Sequence, residues 1–269
     1  MASSTSDRSA LVRRLRAAGC VFAEDEAELL VAAADSPAAL AALADRRVAG
    51  EPLEHLLGWV EFGGLRVTVA PGVFVPRRRT AWLATAAGAV AGPEPAVVEL
   101  CCGSGAVSLL LARRLRPRWQ AAADVDPVAV GCARRNLAGL GVPVYEGDLF
   151  DPLPAHWRGR LDLVVANAPY VPTAAVELMP PEARLHEPTV ALDGGSDGLA
   201  VLRRLAGDAV RWLAPGGHLV VEVGGDQVDA FCAELAGCGL VPTVTRSAEL
   251  DATAVTARLR CRPGPLPTE

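Results

Sequence analysis

The chain has 269 residues, a net charge of −5, and is 51% hydrophobic but only 4% aromatic. That length allows one large domain, or a large and a small one, around a core that Ala, Val and Leu must fill. The acidic balance argues against a protein that lives on a phosphate backbone, and no direct nucleic-acid contact is expected.

The seven cysteines are odd in number and form no C-x-x-C pair, so neither a disulfide framework nor a zinc site is indicated. The four histidines are isolated, without an H-E-x-x-H pattern. No metal is expected, and a reducing cytoplasm is the setting that fits. The start of the chain, polar and then amphipathic, has no apolar signal core. There is also no uninterrupted apolar run of about 18 residues, so no membrane span is expected.

In chain order, residues 9 to about 49 predict three helices, in SALVRRLRAAGC, EDEAELLVAAAD and SPAALAALADRRVAG. Ser36 and Pro37 open the third as N-cap and first helical residue. Residues 51–75 carry two β-like runs punctuated by glycine and predict a hairpin connector. Arg77, Arg78 and Arg79 read as a solvated loop. From Ala96 onward strand and helix signals alternate. Strands are predicted at 96–100, 120–125, 142–146, 161–166, 217–223, 241–247 and 254–260, with helices such as 105–115 and 127–139 between the early ones. This alternation predicts βαβ units and a mostly parallel sheet. The last two strands, joined by SAELDAT, predict an antiparallel hairpin at one end of it. RPGPLPTE at the C-terminus reads as a frayed tail.

Two loops carry the chemistry. In AVVELCCGSGAVSLLLARRL, a strand runs into a tight glycine loop and then a helix. Gly103 and Gly105 allow close approach of backbone to a ligand. Asp124 ends the next strand about 20 residues on, the place for an acid that binds ribose hydroxyls. Asp126, before Pro127, reads as a helix cap. Two ligands compete for such a loop. A dinucleotide would set its pyrophosphate on the helix N-terminus. S-adenosylmethionine brings an ammonium and a cationic sulfur instead. Glu99 beside the loop would repel the first and help fix the second, directly or through water. The loop also lacks the third small residue of the dinucleotide fingerprint. The methyl donor is favoured. Asp148 and Leu149, after the third strand, are placed to touch its adenine.

The second loop is Asn167-Ala168-Pro169-Tyr170, after the apolar run LDLVV. The Asn side chain and the next carbonyl offer two acceptors, proline stiffens the turn, and tyrosine adds a flat face. Two fixed acceptors can hold both N–H groups of a planar nitrogen while it attacks a methyl group in line. A plain strand-to-loop turn would use the same residue types.

Taken together, the motifs resemble those of the HemK-like protein-(glutamine-N5) methyltransferases, which modify peptide-chain release factors. The resemblance runs through EPLEHLLGWVEFGGLRVTVAPGVFVPR, ELCCGSGAVSL, ADVDPVAVGCARRN, DLVVANAPYVPT, MPPEARLHEP and ALDGGSDGLAVLRRL. It implies an α/β class I methyltransferase fold, with a Rossmann-like seven-stranded sheet, a small N-terminal helical domain and a β-hairpin connector. It divides the chain into a substrate-recognition domain (1–50), the connector (51–75) and an S-adenosylmethionine-dependent methyltransferase domain (76–269). It implies a monomer whose substrate is the Gly-Gly-Gln glutamine of class I release factors. Asn167, Ala168, Pro169 and Tyr170 would be catalytic. Glu99, Cys101, Cys102, Gly103, Ser104, Gly105, Asp124, Asp148, Leu149 and Asn167 would hold the cofactor. The chain departs from the family at Ala168, where Asn-Pro-Pro-Tyr has proline, and at Cys101, where the loop has glycine. The family's P-R-P-E-T-E reads PRRRTA here. The cysteine pair reads as small buried residues rather than a redox or metal site. Two other readings stay open: another acceptor (a ribosomal-protein glutamine, a nucleic-acid adenine amine or a small amine), and a degenerate, non-catalytic binding protein.

Overall fold

The computed structural model describes residues 5–260, so the predicted C-terminal tail lies outside the described residues. The first helices are α1 (Thr5–Ala17), α2 (Ala23–Ala33) and α3 (Pro37–Val48). They close on a small core of their own, with Leu15, Ala27 and Leu30 fully buried. Ser36 caps α3 as predicted: its Oγ accepts from the Ala39 amide at 3.1 Å.

The connector is a hairpin with a helical lead-in that the sequence reading did not foresee. Residues Leu53–Leu57 form α4, which stops at Gly58 in the left-handed region. Strands β1 (Trp59–Phe62) and β2 (Leu65–Thr68) then pair antiparallel around Gly63 and Gly64. Both glycines have positive φ, the requirement of the two-residue turn that matches strand twist. Phe62 and Val67 are buried in the core that also holds Leu110 and Leu111. The connector is thereby packed on the larger unit.

That unit begins with α5 (Thr80–Val90). It continues through β3 (Ala96–Leu100), α6 (Ala106–Leu115), β4 (Trp119–Asp124), α7 (Pro127–Leu137), β5 (Val144–Glu146) and β6 (Leu161–Ala166). After two short helices, α8 (Thr173–Val176) and α9 (Pro181–His186), come α10 (Ala200–Trp212), β7 (Leu213–Glu222), α11 (Val228–Gly237), β8 (Leu240–Ser247) and β9 (Ala252–Leu259). The strand order is β5-β4-β3-β6-β7-β9-β8. The first five strands run parallel, and β9 inserts antiparallel between β7 and β8. The seven predicted strands are all present. β7 starts four residues earlier than predicted. Its Pro215-Gly216-Gly217 reads as a turn in sequence, but the chain stays in the sheet through a register shift against β6.

One face of the sheet is covered by Leu202, Leu205, Trp212 and Phe231 from α10 and α11. The other is covered by α5, α6 and α7 through residues such as Leu83, Leu111 and Leu137. The central strand β3 is buried along its whole length, which is why its sequence is an apolar run rather than an alternation. Among the described residues, no helix is long and apolar enough to cross a membrane.

The helical cluster is tied to the large unit by one buried cation. Arg47 of α3 bonds Glu26 of α2 at 2.6 Å and Glu182 of α9 at 2.6 Å, and donates to the Glu51 carbonyl at 3.2 Å. Removing one side of a buried ion pair leaves the other charge uncompensated and costs about 3 kcal/mol or more. Arg47→Met should therefore lower the urea midpoint clearly. An unchanged midpoint would show that the network adds no stability.

Candidate active site

Parallel strands deliver their carboxyl ends to one edge of the sheet, and the loops that follow β3, β4, β5 and β6 meet there. They enclose a cavity of about 320 Å³. Of the expected catalytic and cofactor-binding residues, all but Gly105 line it. Gly105 stands behind the loop instead. A Cβ there would lie 3.1 Å from Leu137 Cδ1 and 3.2 Å from Ala133 Cβ, so this glycine lets the loop approach α7.

The glycine loop leaves β3 through Cys101, whose φ is +53°, then Gly103 at +53° and Gly105 at +76°. Left-handed backbone at a residue with a Cβ costs about 1 kcal/mol, so Cys101 holds strain that glycine would not. Burial pushes the thiols of Cys101 and Cys102 up, and the carboxylates around them push in the same direction. Both stay protonated, which supports the reading of small packed residues over a redox pair. Leu149 also lines the cavity with left-handed backbone, at φ +47°.

The acids divide their work. Asp124 Oδ2 accepts from the Gly103 amide at 2.7 Å, and its Oδ1 accepts from the Asp126 amide at 2.9 Å. Burial raises its pKa, against the pull of those amides. Asp126 caps α7, accepting from the Val128 amide at 2.8 Å. Glu99 is buried and accepts from the Ser108 amide of α6 at 2.7 Å. Burial pushes its pKa up to about 8 despite that bond. Asp148 is half-exposed and bonds Arg204 of α10 at 2.5 Å.

Just after β6, Asn167 Nδ2 donates to Thr80 Oγ1 at 3.4 Å, while Asn167 Oδ1 is buried without a hydrogen-bond partner among the described residues. The loop behind it is fastened from two directions. The Tyr170 carbonyl accepts from Gln227 Nε2 at 2.8 Å. Gly198 abuts that same carbonyl, with no room for a Cβ. The Tyr170 hydroxyl donates to Glu222 Oε1 at 3.0 Å and accepts from Arg79 Nη2 at 2.9 Å. The stretch Gly194-Gly195-Ser196-Asp197-Gly198 spells the hydrolase pattern G-x-S-x-G. It follows a short 3-10 turn rather than a strand, so it is no nucleophile elbow.

The arginine triplet is not a solvated loop, contrary to the sequence reading. Arg77 donates to both oxygens of buried Glu187 at 2.7 Å, and Arg79 bonds buried Glu222 at 3.1 Å. Glu187 also accepts from the Val75 amide at 3.0 Å, so its part is to join the connector to the loop after β6. Only Arg78 of the three faces solvent without a carboxylate close by among the described residues. The sequence reading missed Arg204, Gln227 and Glu222. Their partners lie many tens of residues away, so no local signal marks them.

The cavity's charge fits the methyl donor better than a dinucleotide. Its wall presents Asp124, Asp126 and the Asn167 side chain, while the arginines lining it, Arg77, Arg79 and Arg204, are each engaged by a carboxylate. Such a wall suits a cation and disfavours a pyrophosphate.

An acid whose folded pKa lies above its ordinary value of 4.5 keeps its proton longer when folded. Stability then falls as pH rises between about 4.5 and 8. Glu99→Gln should melt above the wild type at pH 8, with the difference closing towards pH 5. A difference independent of pH would contradict a buried, proton-retaining Glu99.

Residues 65–195 match the family model described as Methyltransferase small domain. The fold is shared with a methyltransferase from Pyrococcus furiosus, at TM-score 0.58 and 14% identity over 74% of this chain and 90% of that one. It is shared also with a ribosomal protein L11 methylase from Lactobacillus delbrueckii, at TM-score 0.51 and 16% identity over 68% and 80%. The sheet is thus that of the class I methyltransferases, as the resemblance implied. Closer likeness comes from sequence. The release factor glutamine methyltransferase of Geobacter sulfurreducens is 39% identical over 77% of this chain and 73% of its own. That of Mycolicibacterium smegmatis is 43% identical over 74% and 72%. That of Moorella thermoacetica is 39% identical over 81% and 84%. Identity at this level across most of both lengths establishes that the chain belongs to the release factor glutamine methyltransferase family.

Proposed function

We propose that the protein moves a methyl group from S-adenosylmethionine to the side-chain amide nitrogen of a protein glutamine, the one in the Gly-Gly-Gln motif of class I release factors. The observation that carries this reading is Asn167, which lines the cavity and whose Oδ1 has no donor among the described residues. A buried acceptor left unpaired costs about 1–3 kcal/mol. An amide N–H arriving in the cavity removes that cost.

S-adenosylmethionine, when bound, supplies a methyl group made electrophilic by its cationic sulfur. Asp124, at the end of β4, would take the ribose hydroxyls, and Leu149 and Asp148 would flank the adenine. A cation nearby would favour the ionised form of Glu99. Asn167 Oδ1 accepts one N–H of the acceptor amide, and the Ala168 carbonyl accepts the other. With both N–H groups held, the amide plane is fixed and its nitrogen faces the methyl group, so orientation supplies the rate. A carbonyl acceptor survives the change from proline to Ala168, since it belongs to the backbone. Tyr170 flanks the amide with its ring. Burial pushes its phenol pKa up, with Glu222 adding to the effect, so it is a fixed donor rather than a base. No strong base is required, because a methylated amide cation is acidic enough to lose its proton to solvent. The N-terminal helices, residues 1–50, would grip the release factor, and the enzyme would act as a cytoplasmic monomer.

Mass spectrometry of a class I release factor, after incubation with this protein and S-adenosylmethionine, tests the reading. A gain of one methyl group on the Gly-Gly-Gln glutamine is expected. Asn167→Ala should slow it by about 100-fold or more, the scale of losing an orienting contact. Cofactor binding without any gain would move the search to another acceptor, and unchanged turnover in Asn167→Ala would remove Asn167 from the mechanism.

A further inference from the structure

We propose that Arg79 and Glu222 are positioning residues for methyl transfer, which set the Tyr170 ring against the acceptor amide. The inference rests on the reading that the acceptor lies between Asn167 and Tyr170. A partly buried tyrosine ring on a loop keeps some freedom about its two side-chain torsions unless its hydroxyl is also held. Here it is held twice. The hydroxyl donates to Glu222 Oε1 at 3.0 Å and accepts from Arg79 Nη2 at 2.9 Å. Arg79 Nε closes the triangle on Glu222 Oε1 at 3.1 Å. One edge of a planar guanidinium thus grips the phenol and the carboxylate together, a fork that a lysine ammonium does not reproduce.

The triangle joins three elements. Arg79 is the N-cap residue of α5, Tyr170 lies in the loop after β6, and Glu222 is the last residue of β7. The Glu222 side chain is 5% exposed, and its Oε2 is buried without a hydrogen-bond partner among the described residues. Among the described residues, Arg79 is the cation within ion-pair distance of it. Without Arg79 the carboxylate would be buried and uncompensated, and it would take up a proton or turn away. In both cases the phenol loses a fixed partner.

The chain holds two tyrosines, Tyr145 and Tyr170, so tyrosine labelled with carbon-13 at Cζ gives two resonances, assigned with Tyr145→Phe. Arg79→Met and Glu222→Gln should each move the Tyr170 resonance. On release factor, each should lower kcat by about tenfold or more, the scale of a displaced orienting group, with KM for S-adenosylmethionine held within about twofold. Arg79 is half-exposed, so its variant keeps the proposal testable if Glu222→Gln folds poorly. A Tyr170 resonance unmoved in Arg79→Met, or moved with kcat unaltered, would overturn the proposal. Wild-type protein inactive on release factor would instead overturn the glutamine reading, and this role with it.

Discussion

A buried amide oxygen without a donor is expensive, and this fold keeps one at the carboxyl end of its central strands. Everything around Asn167 serves to hold that oxygen in place. β6 is buried against both neighbours up to Ala166, so Asn167 follows directly on a fixed strand end. Thr80 engages the side-chain nitrogen of Asn167, leaving the oxygen without a donor among the described residues. Gln227 fastens the loop backbone three residues on. An acceptor placed in this way, before any substrate arrives, has its orientation already set by folding. That is the condition under which a weak nucleophile such as an amide nitrogen gains most from geometry.

The electrostatics point the same way. Acids lie along the cofactor side of the cavity, and the cations near it are each engaged by a carboxylate. Those ion pairs also connect the parts of the molecule. Arg77 links the connector to the loop after β6 through Glu187, and Arg47 links the N-terminal helices to the same loop through Glu182. The segment between β6 and α10 is therefore held by the N-terminal helices and by the connector, and it forms part of the cavity wall through Met179, Pro188 and Leu192.

Much of this was legible in the sequence, for physical reasons. β3 and β6 stand out as apolar runs because a central parallel strand is buried on both faces. Ser36 and Asp126 announce their helices because capping is local chemistry. The two glycines of the loop and Asn167-Ala168-Pro169-Tyr170 are local signals too. The parts that were not legible depend on contacts across the chain. Glu222 lies 143 residues from Arg79, and Glu187 lies 110 from Arg77, so a triplet of arginines could only read as solvated. The early start of β7 was hidden by Pro215-Gly216-Gly217, where tertiary pairing overrides turn propensity. Gly105 was read as a ligand contact because spacing shows that a residue is small, not which side of it is crowded.

The central claim is that Asn167 Oδ1 and the Ala168 carbonyl hold the acceptor amide. A crystal structure with S-adenosylhomocysteine and a Gly-Gly-Gln peptide tests it directly. The glutamine amide nitrogen should lie about 3 Å from both oxygens, with its free face towards the cofactor sulfur and the Tyr170 ring alongside. A glutamine amide bound elsewhere in the cavity, with Asn167 Oδ1 still without a donor, would contradict it.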